Sequence, residues 1–304
     1  MVTMKDMLDI HFRELKTRVR SSSYNTIYTT TNNMFNQYKE ILNKDLKKIT
    51  MEDIVLLKEK CCEKYNNNLV SRLIRLIKKF LKEAFVLGYT EVNIGDLINP
   101  LKFTEHKVIK IITTEEFENI IKYIQKDKED KTEEILYLKM LFKTGMRNGE
   151  ARGLCWEDID FNEGTVFIKK SVYSLIHKNF IINKPKTKQS IRIIHLPKSL
   201  LEELRIYREI TEYKDNKDFI FCKEKGIPRT SGFNKSTLKR ACKALNIQIS
   251  HHGLRHSHAT FLVQNNISIN VIQYRLGHSD IKTTLKTYSH IKFYEEKEIL
   301  NILD

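Results

Sequence analysis

Between Leu69 and Phe85 the apolar residues fall three and four positions apart, at Leu69, Leu73, Leu76, Ile77, Phe80 and Leu81. That spacing predicts an amphipathic helix with one apolar stripe. The other positions hold Arg72, Arg75, Lys78, Lys79 and Lys82, and no acidic residue stands between 69 and 82. One face would bury and the other would stay strongly positive. A charged helix face is ordinarily just solvated, but a basic run without compensating glutamates favours a surface turned towards phosphates. Upstream, Phe35, Tyr38, Ile41 and Leu42 repeat the helical spacing, and Thr50 with Asp53 forms an N-cap signal ahead of Ile54, Leu56 and Leu57.

Gly88, Gly95 and Pro100 then punctuate the chain, and residues 101–111 have the look of a linker. A second unit opens at Thr113, with Glu116 as its capping partner, and helical spacing continues through Ile121 and Leu136 to Leu141. The pattern changes at Thr165–Ile168, Phe180–Ile182 and Ile191–Leu196, short runs rich in β-branched residues that predict one small antiparallel sheet. Asn183–Gln189, between the last two runs, is basic and turn-like and is expected to be a hairpin. Helical spacing returns from Leu200 and again from Lys235. The expected fold is mainly α with a small antiparallel β-sheet (α+β). It divides into a helical unit at 1–100, a linker at 101–111 and a second unit at 112–304.

Composition narrows the class. With 41% apolar residues in 304, either unit can bury a core. No run of 18 apolar residues exists, and Met1 to Ile10 holds no signal-peptide core, so neither a membrane span nor a secretory leader is expected. Cys61, Cys62, Cys155, Cys222 and Cys242 form no C-x-x-C pair and are odd in number, which argues against a disulfide framework or structural zinc and fits a reducing cytoplasm. The net charge of +15, from 53 basic and 38 acidic residues, attracts polyanions but says nothing of chemistry.

Chemistry concentrates in four segments of the second unit. In Thr144-Gly145-Met146-Arg147-Asn148-Gly149-Glu150 the glycine would end one helix, and Arg147 and Glu150 would share a face of the next turn. Taken alone this is a surface ion pair; at a helix start it is also a bidentate fork for phosphate. In Lys184-Pro185-Lys186-Thr187-Lys188-Gln189-Ser190-Ile191-Arg192 a lysine on a hairpin tip could deliver a proton into a cleft, although hydrated basic loops are common. In His251-His252-Gly253-Leu254-Arg255-His256-Ser257-His258, His252 and Arg255 lie side by side on a helix, a pairing suited to an anionic phosphoryl centre. Four histidines in eight residues could instead bind zinc, but no H-E-x-x-H and no acid occurs there. The fourth segment runs from Leu276-Gly277-His278 to Thr287-Tyr288-Ser289-His290, where a histidine and a tyrosine share a polar, glycine-marked stretch.

Read in order, these segments resemble the tyrosine recombinase (phage integrase) family: T-G-x-R-x-x-E, a lysine hairpin before S-x-R, H-x-L-R-H, and L-G-H followed by T-T-x-x-x-Y, spread over residues 144–288. The last two are specific, the first moderately so, and the lysine hairpin is weak. The hairpin style most resembles integrases of conjugative transposons and related phages, and the basic helical unit looks like the family's core-type DNA-binding domain. The resemblance implies a site-specific DNA recombinase. Tyr288 would be the nucleophile, forming a 3′-phosphotyrosyl link. Arg147 and Arg255 would hold the scissile phosphate, His252 would act in proton transfer, and His278 would hydrogen-bond the phosphate. Lys186 would protonate the departing 5′ oxygen, with Lys188 as the alternative register, and Glu150 would orient the site.

The resemblance further implies no metal, cofactor or ATP, because the phosphotyrosyl link keeps the phosphodiester energy. Expected partners are double-stranded recombination sites, three further copies of the chain in a tetramer on DNA, and accessory DNA-bending or directionality factors. The expected setting is the cytoplasm and nucleoid of a bacterium, with integration or excision of a mobile element as the task. The tail after Tyr288, with Ile291, Phe293, Tyr294, Ile299, Leu300, Ile302 and Leu303, could dock on a neighbour or pack on its own domain. Residues 1–100 suffice for the core-type domain alone, so the arm-site domain that many such integrases carry is either lacking or lies outside this chain.

Overall fold

A computed structural model describes residues 1–19, 21–99, 110–174, 180–183 and 188–278. The chain divides into two compact units, Met1–Lys107 and Val108–Asp304. Among the described residues no helix is long and apolar enough to cross a membrane.

The first unit contains α1 (Met4–Arg18), α2 (Ser21–Phe35), the short α3 (Glu40–Asn43), α4 (Met51–Cys62) and α5 (Asn67–Val86). The helical spacing read across Phe35, Tyr38 and Ile41 is broken into α2, a 3-10 turn and α3, but Phe35 and Ile41 still reach the core with no exposed surface. Thr50 and Asp53 close the expected capping box on α4. Asp53 also accepts from Lys44 Nζ at 2.6 Å and Tyr38 Oη at 3.2 Å, so the cap doubles as a tie between segments.

Helix α5 starts at the Asn66 cap and buries Val70, Leu73, Ile74, Ile77, Phe80 and Leu81. Its apolar face is thus wider than the expected stripe and turned so that Leu69 and Leu76 lie at its edge, only partly buried. Arg72, Arg75, Lys79 and Lys82 are exposed, whereas Lys78 is half-buried. The 3-10 segment Ile94–Leu97 crosses this flank so closely that a Cβ on Gly95 would lie 2.9 Å from the Lys78 carbonyl. Lys78 Nζ consequently donates to the Ile98 carbonyl at 3.4 Å, and Lys79 pairs with Glu83 at 3.4 Å.

The second unit opens with α6 (Thr114–Gln125), capped by Thr113 and Glu116 as expected, followed by α7 (Thr132–Thr144) and the one-turn α8 (Asn148–Arg152). Strands β1 (Ile159–Asp160), β2 (Thr165–Ile168), β3 (Ser171–Ser174), β4 (Phe180–Asn183) and β5 (Arg192–His195) come next, then α9 (Lys198–Ile210). The pair β6 (Cys222–Glu224) and β7 (Ile227–Pro228) precedes α10 (Lys235–Ala244), α11 (His251–Gln264) and α12 (Ile269–Leu276). Leu141, Trp156, Val166, Ile194, Leu204, Phe221 and Leu254 share one core, while Ala259, Val263, Ile272 and Leu276 pack α11 on α12.

The expected strands exist, but they do not form one sheet. The three-stranded antiparallel sheet has the order β1-β2-β5, and β4 pairs instead with β3 in a separate ribbon. β4 and β5 are therefore not the two arms of a hairpin, and the connection between them passes from one sheet to the other. The reason is burial. β2 and β5 each turn alternate residues into the main core, with Val166 opposite Ile194 and Ile168 opposite Arg192. Phe180 of β4 meets Phe219 edge to face in a satellite cluster with Val172, Cys155 and Cys222, away from that core.

Candidate active site

Three turns bring the charged segments to one end of the second unit. α7 stops at Gly145, whose φ of +68° is the left-handed turn that favours glycine. A Cβ there would also lie 2.5 Å from the His258 ring, so a side chain is excluded twice over. The turn sets Arg147 at the start of α8. Its backbone N–H donates to Glu150 Oε2 at 2.8 Å and its Nη1 to Oε1 at 2.8 Å. Glu150 is only 4% exposed and is not a surface partner. From β5, Arg192 Nη2 donates to Glu150 Oε2 at 2.9 Å and Nη1 to Oε1 at 3.3 Å. Burial alone would raise the Glu150 carboxyl, but the charges and hydrogen bonds of Arg192 and Arg147 hold it below the ordinary glutamate value.

Ser250 caps α11, its side chain accepting from the Gly253 N–H, and the helix carries Arg255 inward. Arg255 Nη1 donates to the Gly145 carbonyl at 2.7 Å and Nη2 to the Leu276 carbonyl at 2.7 Å. Arg147 Nη2 donates to the next carbonyl, Gly277, at 2.9 Å. Two arginines from different elements thus hold successive carbonyls at the C-terminus of α12, the negative end of its dipole. Gly277 then turns with φ +65°, and a Cβ on it would lie 2.7 Å from Arg192 Nη1. The L-G-H run needs glycine both for the left-handed turn and because a guanidinium lies against it.

The imidazoles follow from this packing. The rings of His252 and His256 meet edge to face at 4.5 Å. Burial, then Arg255 and Arg147, lower the pKa of His252. Burial followed by Arg255, Arg147, His256 and Arg192 brings His278 down to about 4, and burial with His252 and Arg255 brings His256 to about 4. Arg147 and Arg255 therefore lie within electrostatic reach of both His252 and His278, in a positive cluster whose rings are neutral at pH 7. Arg255 is 3% exposed, whereas the Arg147 side chain is 41% exposed and opens the cluster outwards. Chemically, the cluster offers guanidinium forks to an oxyanion and imidazoles that can donate a hydrogen bond or accept a proton. Among the described residues no three His, Cys, Asp or Glu side chains are grouped to hold a metal.

Lys186, Tyr288 and the tail lie outside the described residues, and Lys188 opens the 3-10 turn Lys188–Ser190 that precedes β5. Arg72, Arg75, Lys78, Lys79 and Lys82 belong to α5 of the first unit. Sequence reasoning quoted Arg192, His256 and His258 within their motifs but gave them no place in the phosphate site, and it did not single out Arg275. For Arg192 a signal existed: it shares strand parity with Ile194, and a charge at an inward position needs a buried partner. His256 follows His252 by one helical turn and could have been read with it.

Two further imidazoles make a prediction about stability. Burial and then Arg275 lower His258 to about 3, and burial with Lys235 and Arg152 lowers His251 to about 4, both from an ordinary 6.5. Because these folded values are depressed, the unfolded chain takes up protons first. Stability is therefore flat above pH 6.5 and lost below it, by about 1.4 kcal/mol per pH unit for each buried ring. Thermal melts from pH 8 to 4.5 should decline below pH 6.5, and His258→Gln should flatten the decline. A melting temperature that holds down to pH 4.5 would count against two buried neutral rings.

The profile of the phage integrase family matches residues 110–295, more than half of the chain. The ICEBs1 integrase of Bacillus subtilis is 28% identical over 293 residues, covering 90% of this chain and 77% of that protein. Among solved structures, the Tn1549 transposon integrase in complex with a circular intermediate DNA superposes with a TM-score of 0.80, covering 100% of both chains at 19% identity. A lambda integrase tetramer bound to a Holliday junction gives 0.66, covering 92% of this chain and 78% of that one at 19% identity. At such identities these two likenesses concern the fold. The family match takes in the arginine and histidine cluster and the stretch holding Tyr288, and with it the chain belongs to the phage integrase family as a site-specific tyrosine recombinase.

Proposed function

We propose that this chain cuts and rejoins DNA strands through a 3′-phosphotyrosyl intermediate on Tyr288, and integrates or excises a mobile element. One observation carries the reading. Arg147, Arg255, His252 and His278 converge at the end of α12, ten residues before Tyr288.

An unperturbed phenol has a pKa of about 10 and is a poor nucleophile at pH 7 unless its proton is taken. His252 is neutral and so has a ring nitrogen free to accept that proton, and the bound phosphate offsets the two guanidinium charges that otherwise weaken it as a base. The phenolate oxygen attacks phosphorus, and the phosphoryl oxygens gain charge that Arg147 and Arg255 offset while His278 donates a hydrogen bond. The bond to the 5′ oxygen breaks, and that oxygen takes a proton from Lys186, or from Lys188 if the register differs. Attack by a 5′ hydroxyl of another strand reverses the step, so rejoining calls for neither ATP nor a divalent ion. Glu150 holds Arg147 from behind.

In the first unit, the exposed Arg72, Arg75, Lys79 and Lys82 are suited to duplex phosphates, and Lys78 contributes less because it is tied to the Ile98 carbonyl. Exchange between two duplexes needs several protomers. A tetramer on DNA is the proposed assembly, with the lambda integrase tetramer as its precedent in fold. The tail from Ile291 to Leu303 is the candidate contact between copies, and accessory DNA-bending or directionality factors are the further partners. The proposed setting is the nucleoid in the cytoplasm of a bacterium.

The test is a nicked suicide duplex carrying the recombination site, incubated with the full chain in EDTA. A covalent protein–DNA adduct should accumulate, and peptide mapping should find the nucleotide on Tyr288. Absence of the adduct in EDTA, with its appearance on adding a divalent ion, would sink the reading.

A further inference from the structure

Arg275, in the last turn of α12, has no part in the phosphate clamp described above, yet it touches α11, the end of β5 and the last turn of α7, which carry or lead into the charged cluster. Its Nε donates to His258 Nε2 on α11 at 3.1 Å. Nη1 and Nη2 each donate to the His195 carbonyl, at the end of β5, at 3.3 Å. Nη2 also donates to the Lys143 carbonyl, in the last turn of α7, at 3.3 Å. The backbone carbonyl of Arg275 accepts from Arg192 Nε at 2.7 Å. One residue therefore binds together α7, β5, α11 and α12. Arg147 follows α7, Arg192 lies on β5, Arg255 on α11, and the Gly277–His278 turn ends α12.

Among the described residues, the partner set of this half-buried guanidinium contains no carboxylate. Partial burial, and then the neighbouring Arg192 charge, lower the pKa of Arg275. A cation drawn part-way out of water needs its donors satisfied, which gives the three acceptors directional control over it. His258 can accept at Nε2 only as the neutral ring with its proton on Nδ1, and that proton is used in a bond to the backbone of Phe142 on α7. The ring is thus a fixed bridge between α7 and Arg275, and Gly145 is the residue that leaves room for it.

We propose that Arg275, braced by the neutral His258 ring, is a positioning residue that sets the Gly277–His278 turn, and the start of the segment leading to Tyr288, against Arg147, Arg192 and Arg255. The inference rests on the reading that Arg147 and Arg255 hold the scissile phosphate, with Arg192 and Glu150 behind them. Gly277 lies two residues beyond Arg275, and its carbonyl is the acceptor for Arg147. A shift of α12 of about 1 Å would misalign phosphate ligands and nucleophile together, and such misplacement costs about 100-fold in rate. DNA affinity, set by the charges themselves, should change little.

The experiment uses the full chain and three variants. Arg275→Lys keeps the charge but cannot span three acceptors from one point. His258→Phe keeps the ring volume and loses the acceptor, and His258→Gln restores an acceptor near the Nε2 position. Single-turnover adduct formation at saturating DNA should fall about 100-fold in Arg275→Lys and His258→Phe, with the DNA dissociation constant within about threefold of wild type. His258→Gln should recover to within about tenfold of wild type. Nitrogen-15 spectra of the wild-type histidines should show His258 neutral with its proton on Nδ1. The proposal is overturned if Arg275→Lys cleaves at the wild-type rate, if the loss in rate follows a loss in affinity, if Gln does no better than Phe, or if the His258 proton is found on Nε2. Should His258→Phe not fold, Arg275→Lys and the ring spectra decide. If the wild-type chain forms no adduct at all, the recombinase mechanism fails, and the ring spectra still decide whether the brace exists.

Discussion

Changing Tyr288 to Phe should abolish the covalent adduct, a loss on the order of 10⁵-fold, while leaving DNA binding intact. The substitution removes one oxygen and keeps the ring, so packing around residue 288 is little disturbed. The guanidinium groups of Arg147 and Arg255 and the exposed basic residues of α5 all remain, and phosphate affinity with them. What is lost is the oxygen that the proposed mechanism bonds to phosphorus, and no rearrangement of arginines replaces it. The measurement is a denaturing gel of the nicked-substrate reaction beside a binding titration. A surviving adduct would transfer the role to another tyrosine. Tyr274 is the one to examine, since it is 56% exposed on α12, ten residues or fewer from every α12 contact described above. Its hydroxyl, however, accepts from the Ile193 N–H at 3.4 Å, on the sheet side of the helix, and is already engaged there. Loss of both binding and adduct in Tyr288→Phe would instead mean that residue 288 holds the fold together.

The second large effect is on stability. Glu150→Ala should destabilise the second unit by about 3–5 kcal/mol, because it leaves the Arg192 guanidinium buried without a counter-charge. The Arg192 side chain has no exposed surface, and after the change its partners among the described residues would be the Arg275 and Ser190 carbonyls. For a unit of this size the melting temperature should fall by on the order of 10 °C. Glu150→Gln should not rescue fully, since it keeps the shape and loses the charge that offsets two arginines. Arg147→Ala should cost much less, within about 1 kcal/mol, because its exposed side chain can be replaced by water. Melts of the three variants decide the matter. If Glu150→Ala melts within about 2 °C of wild type, the carboxylate is not the centre of the network, and the ion pairs drawn around it carry little energy.

Local features were legible from residue order alone. The boxes at Thr50–Asp53 and Thr113–Glu116, the helix stop at Gly145, the pairing of Arg147 with Glu150 in one turn, and the amphipathic α5 all depend on residues within a few positions of one another. Capping, left-handed glycine and helical periodicity act over that range. The positions of β2, β4 and β5 were legible for the same reason, as short β-branched runs. Their partners were not. β-pairing is a contest between distant strands for one core, and Phe180 went to the satellite cluster of Phe219 while Ile194 went to Val166.

The sequence by itself therefore determined the kinds of element, many of their ends, and the candidate residues for a phosphoryl site, because propensity and chemistry reside in single side chains and their near neighbours. Only the tertiary structure decided that Lys78 turns to the Ile98 carbonyl, that Arg192 closes on Glu150, and that Arg275 and His258 join α7, β5, α11 and α12. A cation on a helix is solvated in any local reading. It becomes a buried fastening when carbonyls and a neutral ring from segments up to 132 residues away supply the hydrogen bonds that replace its water.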